Sequence, residues 1–354
     1  MKKTSINPKN VSIKIFLALV MLGLLIAHTL VSAEPQQAKN TPQQEATAST
    51  ASQEALQLSR QVVALYNEHK LNEALPLAKQ ALQLLEKEFG REHPEIVGAL
   101  TNLALIYMEQ REFLKAEPLY QRVLKIYEKN YGPDDLKVTV TLINLGWVRY
   151  VLGANTEAEH LFRRAVSINE KVLGPEHKET AVPLYNLARF YQKQGKVSQA
   201  VPYFERVLAI KEKRLGPKDS EVAEALEQCA CALEQNKQFP RAKEMWARAD
   251  KIRYGEQPDT QLAPPSVVQG KAISKPQPSY PRAARNLLIS GAVLVRILID
   301  ESGQVTEATL LCGPDLLAPE ALAAARQWRF SPTLADGKPM KVVGTLTFTF
   351  VLRP

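Results

Sequence analysis

Histidine and cysteine are scarce in this chain: five His and three Cys in 354 residues. His28, His69, His93, His160 and His177 are scattered. None stands in the Cys/His or Ser/His spacing that metal binding or nucleophilic catalysis uses. No glycine-rich phosphate loop occurs. The sequence therefore predicts no enzyme, no catalytic residue, no metal and no cofactor. Cys229 and Cys231 stand two apart on an expected helix and point to different faces, so they do not pair easily. Cys312 follows an expected strand in another domain. Three is an odd number for a disulfide framework, so the expectation is small buried thiols. The chain also lacks a basic face. Of its net charge of +8, one half comes from Lys2, Lys3, Lys9 and Lys14, which have no acid among residues 1–33. The other half lies in 270–354, and the stretch between is balanced. That pattern argues against a nucleic-acid partner.

One long apolar run is present. It covers Ile15 to Ala27, 13 residues, behind a basic start. Val31-Ser32-Ala33 then offers small residues before Glu34-Pro35. Residues 1–33 read as a secretory signal peptide. The alternative is a retained anchor over 15–31, which falls short of the ~20 apolar residues a spanning helix needs. Either way the folded part is exported. Residues 34–52 are rich in Gln, Ala, Thr and Ser and read as a disordered tether.

From 53 to 254 the chain repeats itself. Alanines recur at Ala74, Ala116, Ala158, Ala200 and Ala242, and glycines at Gly90, Gly132, Gly174 and Gly216. Asn102, Asn144, Asn186 and Gln228 keep the same step, as do Tyr120, Phe162, Phe204 and Trp246. The step is always 42 residues. Self-similarity of this kind is the mark of a solenoid. In each repeat, apolar residues at i, i+3 and i+4 give a helix stripe, as in Ala116, Leu119, Tyr120, Val123 and Leu124. Pro76, Pro118 and Pro202 are expected in the first turn of each second helix. Pro183 is expected to kink a helix. His93, Asp135, His177 and Asp219 are expected at helix starts. Arg122, Arg164, Arg206 and Arg248 are expected to pair with acids between repeats. The runs Asn102-Leu103-Ala104, Ala116 to Tyr120 and Leu173 to His177 resemble the tetratricopeptide repeat, in the long form of kinesin light chains. About five helix pairs are expected. The resemblance implies a concave face that binds extended peptides, with Asn102, Asn144 and Asn186 bonding peptide backbone. Trp147, Tyr185 and Arg189 would lie beside them. The other reading of these residues is packing between repeats.

Residues 255–269, rich in Pro and Gln, read as a linker. From 270 the pattern changes. Tyr280-Pro281 opens a short helix, and Gly291 releases a strand from Ala292 to Ile299. Val293, Val295, Ile297 and Ile299 alternate with Leu294, Arg296 and Leu298, so neither face is purely polar. Asp300 to Gly303 is a turn into a returning strand, Gln304 to Leu311. Asp315 is expected to cap a helix running through Arg326. Lys341 to Leu352 is the clearest strand, with Val342, Leu346, Phe348 and Phe350 on one face and Thr345, Thr347 and Thr349 on the other. The result is a small α+β module with an antiparallel sheet. Gln277 to Pro281, Asp300 to Val305, Ala321 to Pro332 and Gly337-Lys338-Pro339 resemble the C-terminal domain of TonB-type energy transducers.

That resemblance implies a contact with an outer-membrane receptor through Gln277, Pro278, Tyr280 and Pro281, and a last strand to which a receptor peptide adds. The expected protein is a multidomain periplasmic adaptor, partnered by proteins or extended peptides and linked to TonB-dependent transport. The alternative is an assembly scaffold with no role in energy transduction. Leu24 favours the alternative: it stands four residues before His28, where transducers of this type carry Ser.

Overall fold

The computed structural model describes residues 50–254, 260–262, 272–335 and 338–352. The expected export segment, most of the expected 34–52 tether and most of the expected 255–269 linker lie outside the described residues. Ten helices come first: α1 Thr50–Asn67, α2 Leu71–Phe89, α3 Val97–Glu109, α4 Phe113–Tyr131, α5 Leu136–Val151, α6 Asn155–Leu173, α7 Ala181–Lys193, α8 Val197–Leu215, α9 Ser220–Gln235 and α10 Phe239–Tyr254. They form five pairs. The rest is β1 Thr260–Leu262, β2 Ala272–Ser274, α11 Arg282–Asn286, β3 Gly291–Ile299, β4 Val305–Cys312, α12 Ala318–Gln327, β5 Arg329–Phe330, β6 Thr333–Ala335 and β7 Lys338–Phe350. Thr50 to Ser52 are thus helical rather than tether. Two compact units divide the chain inside α8, after Ile210.

In the first unit the repeated small residues do what the period suggested. Ala74, Ala116, Ala158 and Ala200 are fully buried, and Tyr120, Phe162 and Phe204 fill the space beside them. Helix starts follow the capping logic. Asp135 Oδ1 accepts from Lys137 N at 2.8 Å, and His93 Nδ1 and His177 Nδ1 accept from Glu95 N and Glu179 N. The arginines pair one repeat back: Arg122 with Glu86, Arg164 with Glu128 at 2.7 Å and Arg206 with Glu170 at 2.6 Å. These half-exposed pairs hold register more than they stabilise, about 0–1 kcal/mol each.

Two proline expectations are corrected. Pro76, Pro118 and Pro202 stand sixth in α2, α4 and α8, one turn further in than expected. Each removes a bond to the carbonyl four residues back. Those residues, Asn72, Leu114 and Ser198, are exposed, so the freed carbonyls lie on the outer side of the helices. Pro183 kinks nothing. A 3₁₀ turn, Lys178–Thr180, ends just before α7, which leaves Pro183 in the first turn of that helix.

In the second unit one sheet runs β1-β7-β3-β4, with β6 also on β7. β3 pairs antiparallel with β7 from Gly291↔Phe350 to Ile299↔Val342. The inner face of this pair, Val293, Val295, Ile297, Leu346, Phe348 and Phe350, packs on α11, α12 and Trp328. Asp315 lies in the turn before α12 and does not cap it; Leu317 occupies the cap position. The expected linker holds one element. Thr260–Leu262 is a strand, parallel to Lys341–Val343 of β7.

The β3–β4 turn is built around Asp300. Its Oδ1 accepts from Ser302 N, Ser302 Oγ and Gln304 N at 2.7–3.0 Å. These bonds hold the carboxyl below its usual range, the Ser302 hydroxyl contributing most. Gly303 sits at φ +85°, and a Cβ there would lie 1.9 Å from the Phe330 carbonyl oxygen. Gly90 has the same φ with open space around it. Gly303→Ala should destabilise the chain by about 3 kcal/mol, since backbone must move as well as strain. Gly90→Ala should cost about 1 kcal/mol, from the left-handed conformation alone. Urea unfolding of the two variants checks the difference.

Candidate functional site

Two places in the structure have the chemistry to hold a partner, the row of amides on the first helices of the repeats and the outer edge of β7; the second face of the sheet is taken up by the chain's own helices.

The 42-residue step puts Asn102, Asn144 and Asn186 at one position of α3, α5 and α7, and Leu105, Trp147 and Arg189 one turn on. All six are half-buried. Asn186 is committed to packing. Its Oδ1 accepts from Trp147 Nε1 at 2.8 Å, and its Nδ2 donates to Val182 O at 2.9 Å. Trp147 is also stacked edge-on to Phe162, and Tyr185 to Phe204. For Trp147 and Asn186 the packing reading therefore carries weight. Asn102 and Asn144 differ. Neither amide has a side-chain hydrogen bond among the described residues, though both are half-buried. Arg189 likewise has no acid partner there. These polar groups are therefore free to bond an occupant of the face.

At the end of α3, on the same face as Asn102, lies Glu109. Sequence reasoning passed it over because the equivalent residues, Val151 and Lys193, share no chemistry with it. Burial pushes its carboxyl up to about 6. The same burial, with the Glu109 charge, raises Tyr66 of α1.

The sheet offers an edge. β3 covers one side of β7. On the other side β1 covers only Lys341–Val343, while β6 pairs with Lys338–Met340. Gly344 to Phe350 have no ladder partner besides β3 among the described residues. The edge expected at 341–352 is thus open only over its second half. Thr347 and Thr349 are exposed there. The expected receptor-contact segment is pinned to the core rather than free. Tyr280 Oη donates to Ile289 O at 2.6 Å, and its ring meets Phe350 edge-on. Trp328 Nε1 donates to Pro276 O, and Ser279 Oγ bonds Glu320. Gln277 is exposed, while Pro278 and Pro281 are half-buried.

The second face of the sheet explains the mixed pattern of β3. Leu294, Arg296 and Cys312 point away from α12 and are buried, because α9 and α10 lie over them. Arg296, 5% exposed, places Nη1 2.7 Å from Glu227 Oε1 and Nη2 2.5 Å from Asp250 Oδ1. Its guanidinium lies 5.7 Å from the Tyr254 ring. Arg253 grips Glu227 with two further bonds, 2.6 and 2.8 Å. Burial raises the Glu227 carboxyl, but Arg253 and Arg296 together outweigh it and hold the group below its usual range. Burial wins at Asp250, which is raised despite Arg296. Beside this cluster Cys231 of α9 is joined to Cys312 of β4, Cα–Cα 5.4 Å; Cys229 is buried and stands outside the bridge. The expectation of three unpaired thiols is corrected. Cys231 does point away from Cys229, and what it points at is β4.

Among the described residues no group of His, Cys, Asp or Glu is placed to hold a metal ion, and no helix is long and apolar enough to cross a membrane.

Comparison with known proteins matches this anatomy. Residues 95–171, 148–213 and 179–249 fit one Tetratricopeptide repeat family model and 62–95 fit another. Residues 276–352 fit the family described as Gram-negative bacterial TonB protein C-terminal. The chain therefore carries tetratricopeptide repeats followed by a TonB C-terminal domain. Over 66 residues it is 42% identical to Protein TonB of Vibrio cholerae serotype O1, which is 18% of this chain and 27% of that relative. The chain thus spans about a quarter of the length of the curated relative it matches. A Podosopora anserina kinesin light chain structure with nearly identical TPR-like repeats shares the helical fold. It is 24% identical with a TM-score of 0.53, and the match covers 59% of this chain and 99% of that one. A point variant of the same Podosopora anserina protein gives the same identity and score over 60% and 99%.

Two outcomes follow from the charges. Arg296→Ala should leave Glu227 and Asp250 buried without their cation and cost about 3–5 kcal/mol in urea unfolding. Arg296→Met with Glu227→Gln and Asp250→Asn should recover most of that loss. Glu109 has a folded pKa above its unfolded one, so its ionisation opposes folding increasingly as pH rises from 4.5 through about 6. Glu109→Gln should therefore raise the melting temperature at pH 7.5 and leave it unchanged at pH 4.

Proposed function

We propose that this chain is a cell-envelope adaptor that holds two proteins at once. The first-helix face of the repeats would take an extended peptide, and the open half of the β7 edge would take a strand from a second protein. The domains in this reading are the 53–254 solenoid and the 270–354 module. The observation that carries it is the seven-residue run Gly344 to Phe350. Unpaired backbone along a regular strand edge is a template for strand addition. The half-buried amides of Asn102 and Asn144 support the first contact.

Two features support an exported location, in the periplasm or tethered to the inner membrane by residues 15–31. One is the basic-then-apolar start of the sequence. The other is the Cys231–Cys312 bridge, a bond that persists in oxidising compartments. The TonB-type module makes an outer-membrane receptor the natural strand donor. Leu24 favours an adaptor or scaffold without motor coupling.

The test is a photo-cross-linking amino acid placed at Thr347 in the full chain in cells, with Thr306 on β4 as the comparison. Thr347 should yield an adduct with an outer-membrane receptor and Thr306 should not. No adduct from Thr347, or equal labelling from both, would overturn the strand-addition reading.

A further inference from the structure

The amide face is not uniform along the repeats. At the α3 end stands Glu109, half-buried and with no cation partner among the described residues. At the α7 end stands Arg189, half-buried and with no acid partner there. Between the two ends the same positions carry Trp147 and Val151, both uncharged. The face thus runs from an uncompensated anion to an uncompensated cation across an apolar middle. Charges elsewhere on the repeats are treated differently: Arg122, Arg164 and Arg206 each have a glutamate.

A partly buried charge without a counter-charge weakens the free chain. The upward shift of the Glu109 carboxyl is that cost made visible. An occupant with the opposite charges would remove that cost at Glu109 and form an ion pair at Arg189. The separation sets the spacing. The first helices α5 and α7 meet through Trp147 and Asn186, and the 42-residue step sets α3 about one further helix spacing away. At about 10 Å between packed helices, two steps from α3 to α7 span roughly 20 Å. An extended peptide rises about 3.3 Å per residue, so the ends lie about six residues apart.

We propose that this face selects an extended peptide of dipolar charge: a basic residue against Glu109 and an acidic residue about six positions away against Arg189. The amides of Asn102 and Asn144 bond the backbone between them, and Trp147 covers an apolar side chain. The inference rests on the peptide-binding reading above and names the chemistry of its ligand. It also fixes one orientation, because a peptide laid the other way sets like charges together at both ends.

The experiment is selection from a random 12-residue display library on the purified full chain, repeated with Arg189→Glu and with the milder Arg189→Gln. Helicity of each variant is checked by circular dichroism. Peptides enriched on the parent chain should carry Lys or Arg and Asp or Glu at the stated spacing. Arg189→Glu should lower binding of those peptides about tenfold and select a basic residue at the former acidic position. Arg189→Gln should lower binding without creating the new preference. Enrichment without a charge pair, or identical selections on parent and Arg189→Glu, overturns the dipolar ligand and leaves peptide binding standing. No enrichment on any chain overturns peptide binding and the inference with it.

Discussion

A guanidinium buried inside a β-sheet face has to be answered by acids, and Arg296 decides how the second unit is built. The acids come from helices, Glu227 on α9 and Asp250 on α10, so the sheet and the last helix pair form one folded body. Removing charges from water costs several kcal/mol per ion, and here two carboxylates, the guanidinium and the Arg253 fork offset one another. Such a cluster adds little net stability. What it adds is uniqueness, since no sliding of α9 over β3 keeps the bonds. The Cys231–Cys312 bridge then holds α9 to the neighbouring strand β4 covalently.

That arrangement leaves the module few open surfaces. α12 and Trp328 close the inner face of the sheet, and α9 with α10 close the other. The strand edges remain. β4 is irregular, with register shifts at two points along its pairing with β3, and irregular edges pair poorly. β7 is regular, and β1 takes only its first part. The regular edge without a second ladder partner among the described residues is Gly344–Phe350. The solenoid has the opposite economy, with a broad face on which Asn186 is engaged while Asn102 and Asn144 are not.

Much of this was legible in the sequence. The 42-residue step implied five helix pairs, because Ala, Gly and aromatic positions each answer a separate packing demand. The mixed face of β3 was legible too, as an anomaly: Leu294, Arg296 and Leu298 did not fit a sheet with one wet side. What covers that face was not legible. Cys231 and Cys312 are 81 residues apart, and no local rule joins them. Glu227 and Asp250 look like ordinary surface acids of a helix. The strand at Thr260–Leu262 was hidden by a composition that also suits a linker, since a three-residue parallel pairing leaves no periodicity. The proline error has a physical reason as well. Turn assignment from sequence places a helix start within a turn at best, and exposed carbonyls made the sixth position tolerable.

The last helix pair belongs to the repeat pattern by sequence and to the sheet by contact. Copies of the 42-residue unit could be gained or lost among α3 to α8 without touching Glu227, Asp250 or Cys231. The length of the first-helix face can therefore change in whole steps during evolution, while the C-terminal module keeps the one helix pair it is fitted to.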